Sequence, residues 1–365
     1  MAKRVPIIDV TDLYHPHQDP GDNIDILWAL GLPQVDLRAV ILDVTDDYRR
    51  LYADANEPGF SDPIGSRDPG VIPLTQLSFL FDRIIPFAVG PMHRMTDPTD
   101  PLDRVSTFEQ AGIELILRTL ADSDERVHIL SFGSCRTIAA AFNRDPSLLE
   151  AKVARIHISA GATGDFLEWN VNLDLQAFIR LRQSDLPIAW YPCTTAQGPF
   201  DDGQHNTHWL LEDLQFIQNM HPPLQRYLQY VLDRECRNDF LVAMQEPADQ
   251  QRLAQTTERH HHVWETAIWL QALNQQVIRK ADAKLTIVDD QSKNQPKAQI
   301  NEGLEPIDWQ VDARGFVATS PTTGGTKRLR YRRNDPAKYQ QVMRQLVPDL
   351  YQSIVPGRPT DAGTP

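Results

Sequence analysis

A cluster of aspartates near the start of the chain constrains its fold more than any other feature. The cluster lies between an apolar run at residues 5–8, which predicts a buried strand, and an apolar run at residues 26–30, which predicts the start of a helix. Its members are Asp9, Asp12, Asp19, Asp22 and Asp25. Carboxylates this close repel each other unless protons or a cation lie among them, and Ca²⁺ or Mg²⁺ prefers such all-oxygen surroundings. Capping of the helix by Asp19 or Asp22, with the others in solvent, explains the pattern equally well.

Strand-like and helix-like segments alternate after this cluster. The predicted strands are residues 5–8, 37–42, 84–90, 127–133, 152–159 and 186–191, with helices at 107–120 and 137–142. Strands separated by helices of this length predict right-handed βαβ units. The expected fold is therefore α/β, with an open, mainly parallel, Rossmann-like sheet flanked by helices. Such sheets place their ligand sites at the carboxyl ends of the strands.

The remaining segments indicate helical insertions within one large domain spanning residues 1–355. We expect an exposed loop at 56–73, a helical insertion at 205–245, a long helix at 263–281, irregular chain or hairpins at 289–325, a strand with one charged face at 327–333, a terminal helix at 335–354 and a disordered tail at 356–365. The tail is predicted from its composition.

Charge and cysteine content narrow the function. A formal net charge of −13 argues against a general nucleic-acid binder, because phosphate contacts need a basic face. Three widely spaced cysteines without a CxxC pair fit a reducing compartment and give no zinc framework. No apolar run has the length of a signal peptide core or a membrane span. We therefore expect a cytoplasmic protein that acts on a small molecule and has neither nucleic acid nor membrane as a partner.

Three segments, in the same order along the chain, resemble the inosine-uridine nucleoside hydrolase family. Residues 19–30, DPGDNIDILWAL, resemble the family motif DxGDDIDDAxAL. Residues 130–162 resemble the family's GPLTNLA segment and the strand that follows it. Residues 168–174, EWNVNLD, resemble the family's EFN...D motif. The resemblance covers residues 5–175, and the rest of the chain agrees in general layout.

This resemblance implies hydrolysis of the N-glycosidic bond of a ribonucleoside or related N-riboside, with bound Ca²⁺ or possibly Mg²⁺, in a homo-oligomer. Carboxylates favour the electron-poor ribosyl cation of the transition state, and an Asp takes a proton from metal-bound water. The resemblance places Asp19, Asp25 and the carbonyl of Phe132 at the metal, with Asp22 as a substitute for a family carboxylate that Ile26 does not provide. It assigns Glu168 and Asn170 to the ribose, although both residues could instead only form the turn.

The first motif also departs from the family pattern. The family's paired Asp-Asp is here Asp25-Ile26, so one expected carboxylate is missing, and residues 13–18 look like an insertion. Two alignments are then possible, in which either Asp19 or Asp12 takes the place of the family's general base. His15 and His17, within the insertion, are candidate ligands or proton donors, but loop histidines are more often without such a role.

The late His-Asp pair of the family is best matched by residues 259–267. In this segment Glu265 would be a substitute metal ligand and His262 would protonate the departing base, although a polar helix start explains the pattern as well. Trp169 or Trp264 could stack on a nucleobase, and Asp46 falls near a polar position that faces the family's site.

Two functions remain open at this stage. The first is an active hydrolase with a remodelled metal site. The alternative is a catalytically impaired family member that binds a ribose-containing ligand, which the missing second Asp supports. The retained Asp19, Asp22, Asp25, Glu168 and Asn170 support the active enzyme, because buried carboxylates are costly to keep without a role.

Overall fold

A computed structural model describes most of the chain. The described residues are 4–46, 67–289, 298–322, 324–325 and 327–357. The predicted tail lies outside the described residues except for Pro356 and Gly357, and the predicted loop at 56–73 is described only from Arg67 onward. Among the described residues, no helix is both long and apolar enough to cross a membrane.

The centre of the molecule is a nine-stranded sheet. The strands of the described chain are β1 (Val5–Thr11), β2 (Val35–Leu42), β3 (Phe87–Val89), β4 (Val127–Ser131), β5 (Val153–Ser159), β6 (Ala162–Thr163), β7 (Ile188–Tyr191), β8 (Thr194–Thr195), β9 (Trp209–Leu211), β10 (His261–Val263), β11 (Gln275–Arg279), β12 (Leu285–Asp289), β13 (Glu302–Val311), β14 (Val317–Pro321) and β15 (Arg328–Arg333). The sheet order is β14-β13-β15-β7-β5-β4-β1-β2-β3. The pairs from β15 to β3 are all parallel, while β13 and β14 add an antiparallel edge.

Helices connect the strands and cover the sheet. They are α1 (Gly21–Gly31), α2 (Val71–Leu80), α3 (Thr107–Asp122), α4 (Arg136–Arg144), α5 (Pro146–Lys152), α6 (Trp169–Leu173), α7 (Leu175–Gln183), α8 (Pro222–Leu232), α9 (Phe240–Ala243), α10 (Gln250–Thr256), α11 (Thr266–Ala272) and α12 (Pro336–Gln352), with a 3₁₀ turn at Gln215–Asn219. The predicted α/β architecture is confirmed.

Two apolar clusters cover the two faces of the sheet. Along β1, Ile7 belongs to one cluster, while Ile8 and Val10 belong to the other. Successive strand residues point to opposite faces, and a parallel sheet buried on both sides needs apolar residues on both. Burial on both faces explains the continuous apolar run that predicted a buried strand, and β1 lies inside the sheet between β4 and β2.

Two predictions for the second half of the chain are wrong in part. The expected helix at 263–281 is instead the end of β10, the short helix α11 and the strand β11. The helix stops before Asn274, whose φ of 52° is left-handed, and Val277 and Ile278 then pair with β12. The insertion at 205–245 is helical in α8 and α9 but begins with β9, which pairs with β10 about fifty residues later. Such long-range pairing overrides the local helical pattern.

Candidate active site

A cavity of about 430 Å³ opens at the carboxyl ends of the central strands. It is lined by Asp12, Gln18, Asp19, Gly21, Asp22, Phe132, Ser159, Phe166, Leu167, Glu168, Trp169, Asn170, Asn172, Cys193, Pro199, Phe200, His262, Trp264 and Glu265. Asp12, Phe132 and Cys193 follow β1, β4 and β7, and Ser159 ends β5. The parallel sheet therefore brings residues far apart in sequence to one edge, as the strand pattern predicts.

A pair of carboxyl groups occupies the start of α1. Asp12, one residue beyond β1, lies in hydrogen-bonding contact with Asp22 in the first turn of the helix. Thr11 Oγ1 donates to Asp22 Oδ1 at 2.9 Å. Burial, and next the charge of Asp22, raises the pKa of Asp12 well above its usual range, and burial together with Glu265 raises the pKa of Asp22 to about 8. The two side chains cannot both be charged here without a compensating partner.

A second carboxyl pair, Asp25 and Glu265, lies one helical turn deeper. The two side chains are in hydrogen-bonding contact, and Tyr351 Oη donates to Asp25 Oδ1 at 2.9 Å. Burial raises the pKa of Asp25 to about 7, while burial and the neighbouring Asp25 raise that of Glu265 well above its usual range. Asp25 Oδ2 is buried and has no hydrogen-bond partner. Asp25 does not line the cavity itself but lies behind Glu265, which does.

Asp19 stands at the entrance, where it shapes the first turn of α1. Its Oδ1 accepts a hydrogen bond from Gly21 N at 2.6 Å. A Cβ atom at Gly21 would lie 3.0 Å from this oxygen and 3.4 Å from His261 Cε1, so glycine allows the three groups to approach closely. The N-cap residue of α1 is Pro20 and no side chain caps it, so the capping interpretation is wrong for both Asp19 and Asp22. Asp19 instead forms this local turn and lines the cavity.

The donor chemistry of these side chains suits a hard divalent cation. Two contacting carboxyl pairs and the unpartnered oxygen of Asp25 form an oxygen-rich surface whose negative charge needs protons or a cation. Across the part of the chain that the structure describes, however, no three His, Cys, Asp or Glu side chains already converge closely enough to hold an ion. The residues thus fit the ion by charge and ligand type, and ion binding would require the two pairs to draw together.

Glu168 and Asn170 hold the loop after β5 against the sheet. Glu168 accepts hydrogen bonds from the backbone N–H groups of Gly161, Asn170 and Val171, and it caps α6. Asn170 Nδ2 donates to Ser159 O at 2.8 Å and to Phe132 O at 3.1 Å. The turn-forming role is therefore present in both residues, and both also line the cavity.

The other part of the cavity lining consists of aromatic and histidine rings, here called the aromatic wall. Its members are Phe166, Trp169, Phe200, His262 and Trp264. His262 on β10 lies 4.3 Å from Phe200 between ring centroids, and its Nδ1 is 2.9 Å from His208 Nε2. Trp264 Nε1 donates to Cys193 O at 2.9 Å, which fixes the indole. Burial lowers the pKa of His262 and lowers that of His208 to about 4. Burial therefore favours the neutral form of both imidazoles.

Some of these residues were not found from the sequence. Phe166, Phe200 and His208 sit in irregular segments without a periodic pattern, and only the pairing of β9 with β10 brings His208 beside His262. His261, buried beside Gly21, was passed over because the sequence left the alignment of residues 259–267 uncertain by about one position. Burial lowers the pKa of His261 to about 4.

Three other candidates lie apart from the described lining. Asp46 Oδ2 is 3.4 Å from His93 Nε2 and does not line the cavity. His15 Nε2 is 2.8 Å from Glu235 O, and His17 is buried without a ring hydrogen bond. His15 and His17 therefore pack within the inserted segment at residues 13–18. The end of this segment places Gln18 and the following Asp19 in the cavity lining.

Sequence comparisons relate this chain to ribonucleoside hydrolases. No family model matches it. The pyrimidine-specific ribonucleoside hydrolase RihA of Escherichia coli strain SMS-3-5 is 29% identical over 183 residues, covering 47% of this chain and 56% of the relative. RihA of Escherichia coli strain ED1a is 28% identical over 185 residues, with the same shares. The chain thus spans about half the length of the curated relatives it matches.

Solved structures share the fold over nearly the whole chain. A plant nucleoside hydrolase, the PpNRh1 enzyme, matches with a TM-score of 0.51 and 14% identity, covering 97% of this chain and 99% of the other. The type III effector XopQ, solved with adenosine diphosphate ribose, matches with a TM-score of 0.53 and 12% identity, covering 97% and 96%. An inosine-guanosine nucleoside hydrolase matches with a TM-score of 0.50 and 14% identity, covering 98% and 100%. At 12–14% identity, these matches show that the chain shares the fold of these proteins.

Proposed function

We propose that this chain, a divergent member of the nucleoside hydrolase family, hydrolyses the N-glycosidic bond of a ribonucleoside or related N-riboside. The observation that carries the proposal is one cavity in which Asp12, Asp22 and Glu265 meet Asn170 and an aromatic wall. The polar side chains suit a sugar with several hydroxyls, and the aromatic wall suits a planar base. The related RihA enzymes, whose name describes pyrimidine ribonucleoside hydrolysis, support the reaction class.

The carboxylates of the cavity favour cleavage by charge. As the bond from C1′ to the base breaks, the ribosyl ring becomes positively charged, and fixed negative groups stabilise that charge more than the neutral substrate. We assign the general base to Asp12, since it follows the central strand β1 and stands beside Asp22. Asp19, at the entrance with one oxygen held by Gly21, we assign to a supporting role in metal or substrate binding.

We further propose Ca²⁺ as the cation of this site. Asp19, Asp22, Asp25, Glu265 and the carbonyl oxygen of Phe132 would hold it. When bound, such an ion supplies a polarised water molecule and neutralises the clustered charge. Two further residues orient these ligands by hydrogen bonds. Tyr351 donates to Asp25, and Asn170 donates to the carbonyl oxygen of Phe132.

The leaving base would meet His262 and Trp169. His262 lines the cavity, and its Nδ1 is hydrogen-bonded to His208. If His208 is the donor in this bond, a neutral His262 carries its own proton on Nε2 and donates to the leaving base from that nitrogen. Trp169 lines the cavity and is 45% exposed, and its ring is proposed to stack on a planar base. Glu168 and Asn170 are proposed for the ribose hydroxyls. The comparisons do not favour the alternative of a catalytically impaired binder.

The decisive experiment measures ribose release from a panel of nucleosides by the full chain with Ca²⁺, before and after Asp12→Asn. We expect turnover in the parent protein and a loss of about 10³-fold in kcat in the variant, with the fold retained. Asp36→Asn, which breaks an ion pair with Arg38 at the surface, is the matched control and should keep full activity. Turnover by neither the parent protein nor the control would contradict the proposed reaction. Full activity of Asp12→Asn with loss in Asp19→Asn would move the base to Asp19.

A further inference from the structure

Building on the proposed hydrolase, we infer that His208 is a positioning residue that donates a hydrogen bond to His262 Nδ1 and so makes His262 Nε2–H a hydrogen-bond donor to the leaving base. His208 itself does not line the cavity. The inference rests on the contact between the two rings, on the unpaired Nδ1 atom of His208 and on the charge of Arg333.

His208 is held beside His262 by contacts on both sides of its backbone. It directly precedes β9, which pairs with β10, the strand that carries His262. The N–H of His208 donates to Asn206 Oδ1 at 3.0 Å, and Arg333 Nη1 donates to the carbonyl oxygen of His208 at 2.8 Å. His208 is 4% exposed. The distance of 2.9 Å between His208 Nε2 and His262 Nδ1 therefore belongs to a fixed, buried arrangement.

A single proton is shared between the two facing nitrogens. Burial, and next the neighbouring His262, lowers the pKa of His208 to about 4. Burial and His260 lower the pKa of His262, while Asp19 opposes this effect. The neutral form is therefore favoured in both rings. Because a neutral imidazole has one N–H and one bare nitrogen, one ring must donate in this bond and the other must accept.

The Nδ1 atom of His208 distinguishes the two directions of the bond. This nitrogen is buried, and no hydrogen-bond partner for it lies among the described residues. If His208 accepted the bond, its own proton would be on Nδ1, and an N–H group would be buried without an acceptor. If His208 donates the bond, only a bare nitrogen is buried there. Protein interiors contain fewer unpaired N–H groups than under-used acceptors, so donation by His208 is favoured.

The charge of Arg333 favours the same direction. Its guanidinium donates to the carbonyl oxygen of His208, and its charge lowers the pKa of this histidine. Nδ1 is the ring nitrogen that lies nearer to the backbone along the covalent structure. A positive charge on the backbone side disfavours a proton on Nδ1 and favours a bare nitrogen there. The proton of His208 is therefore on Nε2, and that of His262 is on its own Nε2.

This arrangement provides a hydrogen bond for the charge that develops on the base. His262 lines the cavity, and Nε2 is the ring nitrogen that His208 does not use. When the bond from C1′ to the base breaks, the electron pair stays on the base, and a neutral imidazole stabilises it by donating a hydrogen bond. Water adds its oxygen to C1′ and passes a proton to the general base. The base anion takes up a proton in solution, and His262 keeps its own.

The first test locates the protons without measuring activity. Long-range ¹H–¹⁵N correlation spectra of the full chain labelled with ¹⁵N-histidine show which ring nitrogen carries the proton, and His208→Gln and His262→Gln assign the signals by their loss. We expect Nε2–H in both rings. His208→Phe should shift the Nδ1 signal of His262, whereas His205→Phe, at a histidine that contacts Tyr331 O, should not. A proton on Nδ1 of His208 would overturn the inference.

The second test compares leaving groups in the presence of Ca²⁺. The probes are uridine and inosine, and 4-nitrophenyl β-D-riboside, whose phenolate carries its charge without a donor. We expect His208→Phe to lower kcat about tenfold for the nucleosides, the equivalent of one hydrogen bond, and to change the nitrophenyl riboside little. His208→Gln, whose amide can donate to His262 Nδ1, should restore most of the rate, and His205→Phe should keep the parent rates.

The outcomes separate this inference from the proposed function. Equal losses on all three probes would show that His208 only supports the fold, and parent rates in His208→Phe would show that its hydrogen bond has no effect on the reaction. Either result would overturn the inference and leave the hydrolase intact. Turnover of none of the probes by the parent protein would instead contradict the proposed function, while the proton positions from the first test would still show whether His208 is the donor.

Discussion

The side-chain amide of Asn170 links the carboxyl ends of two neighbouring strands. Its Nδ2 donates to carbonyl oxygens that follow or end β4 and β5, at Phe132 and Ser159. Phe132 follows β4, and Ser159 is the last residue of β5, so the amide supplies a side-chain donor to carbonyl oxygens at the ends of both strands. The residue that the sequence assigned to ribose thus also fixes the backbone of the cavity floor.

We predict that Asn170→Ala lowers both stability and activity. Losing two hydrogen bonds to half-buried carbonyls should cost about 1–3 kcal/mol in the free energy of unfolding, and kcat/KM should fall by about 10²-fold. Denaturant unfolding and nucleoside turnover measure the two effects. Asn172→Ala, also in the lining but without such a bridge between strands, is the control for stability and should lose less than half as much. Equal stability losses in the two variants would remove the bridging role.

Glu302 provides a prediction about pH away from the cavity. Tyr331 Oη donates to Glu302 Oε2 at 2.6 Å, and burial raises the pKa of this glutamate from 4.5 to about 7. The folded protein therefore binds a proton more tightly than the unfolded chain does. The resulting stability is complete below about pH 4.5 and is lost as the pH rises through about 7.

We expect Glu302→Gln to remove this contribution. Between about pH 5 and pH 8 the parent protein should lose up to about 2 kcal/mol more stability than the variant, as measured by urea unfolding across that range. Glu150→Gln makes the same charge change at an exposed glutamate and should follow the parent profile. Superimposable profiles for Glu302→Gln and the parent would show that Glu302 is ionised in both states.

At the scale of elements, the last helix supports the first. Trp28 Nε1, on α1, donates to Tyr351 Oη on α12 at 2.7 Å, and the same hydroxyl donates to Asp25 at 2.9 Å. A donor within the protein offsets part of the cost of burying a carboxylate. The position of α12 against α1 therefore affects the charge of the proposed metal site, although none of its residues lines the cavity.

Tyr351→Phe tests this coupling between helices. Without the hydroxyl, Asp25 loses its donor and Trp28 its acceptor, so stability should fall by about 1–3 kcal/mol and Ca²⁺ affinity by several-fold. Calorimetric titration with Ca²⁺ and thermal unfolding measure both. Tyr339→Phe is matched to it, since Tyr339 lies on the same helix and its hydroxyl contacts Tyr331 rather than Asp25, so this variant should keep the Ca²⁺ affinity of the parent protein. Parallel behaviour of the two variants would rule out the coupling.

The elements that the sequence predicted are those whose pattern is local. The strands of the parallel sheet are apolar runs, and α12 carries a regular apolar stripe, so both are visible without tertiary information. The region between residues 205 and 281 is different, because β9 and β10 exist only through pairing with each other. The same pairing brings His208 beside His262, which explains why His208 was not predictable from the sequence, whereas His262 was named through the family resemblance.

The acidic half of the site was predictable for a physical reason. Strand, turn and helix occur within residues 5–30, so the carboxyl groups that meet there are close in sequence. Glu265 was found only through a family resemblance, because nothing local shows that it reaches Asp25. Asp46 illustrates the reverse, since its position after β2 suggested the cavity and its carboxylate instead lies near His93.

For the whole molecule, we predict that Ca²⁺ raises thermal stability more at pH 8 than at pH 5.5. The raised pKa values of Asp22, about 8, and Asp25, about 7, mean that protons and cations compete for the same oxygens. A ligand at 100 times its Kd stabilises by about 2.7 kcal/mol, and protonation reduces the effective affinity at the lower pH. Differential scanning calorimetry at both pH values measures the effect. An equal shift at both would place the bound ion elsewhere, and Asp25→Ala should abolish the pH 8 response.

The contact between Tyr351 and Asp25 joins residues 326 positions apart. During synthesis, a ribosome therefore makes the acidic turn early, while the hydroxyl that steadies it is still untranslated and later remains for a time inside the exit tunnel. A ribosome stalled before codon 351 would therefore display the acidic turn without the hydroxyl that steadies it.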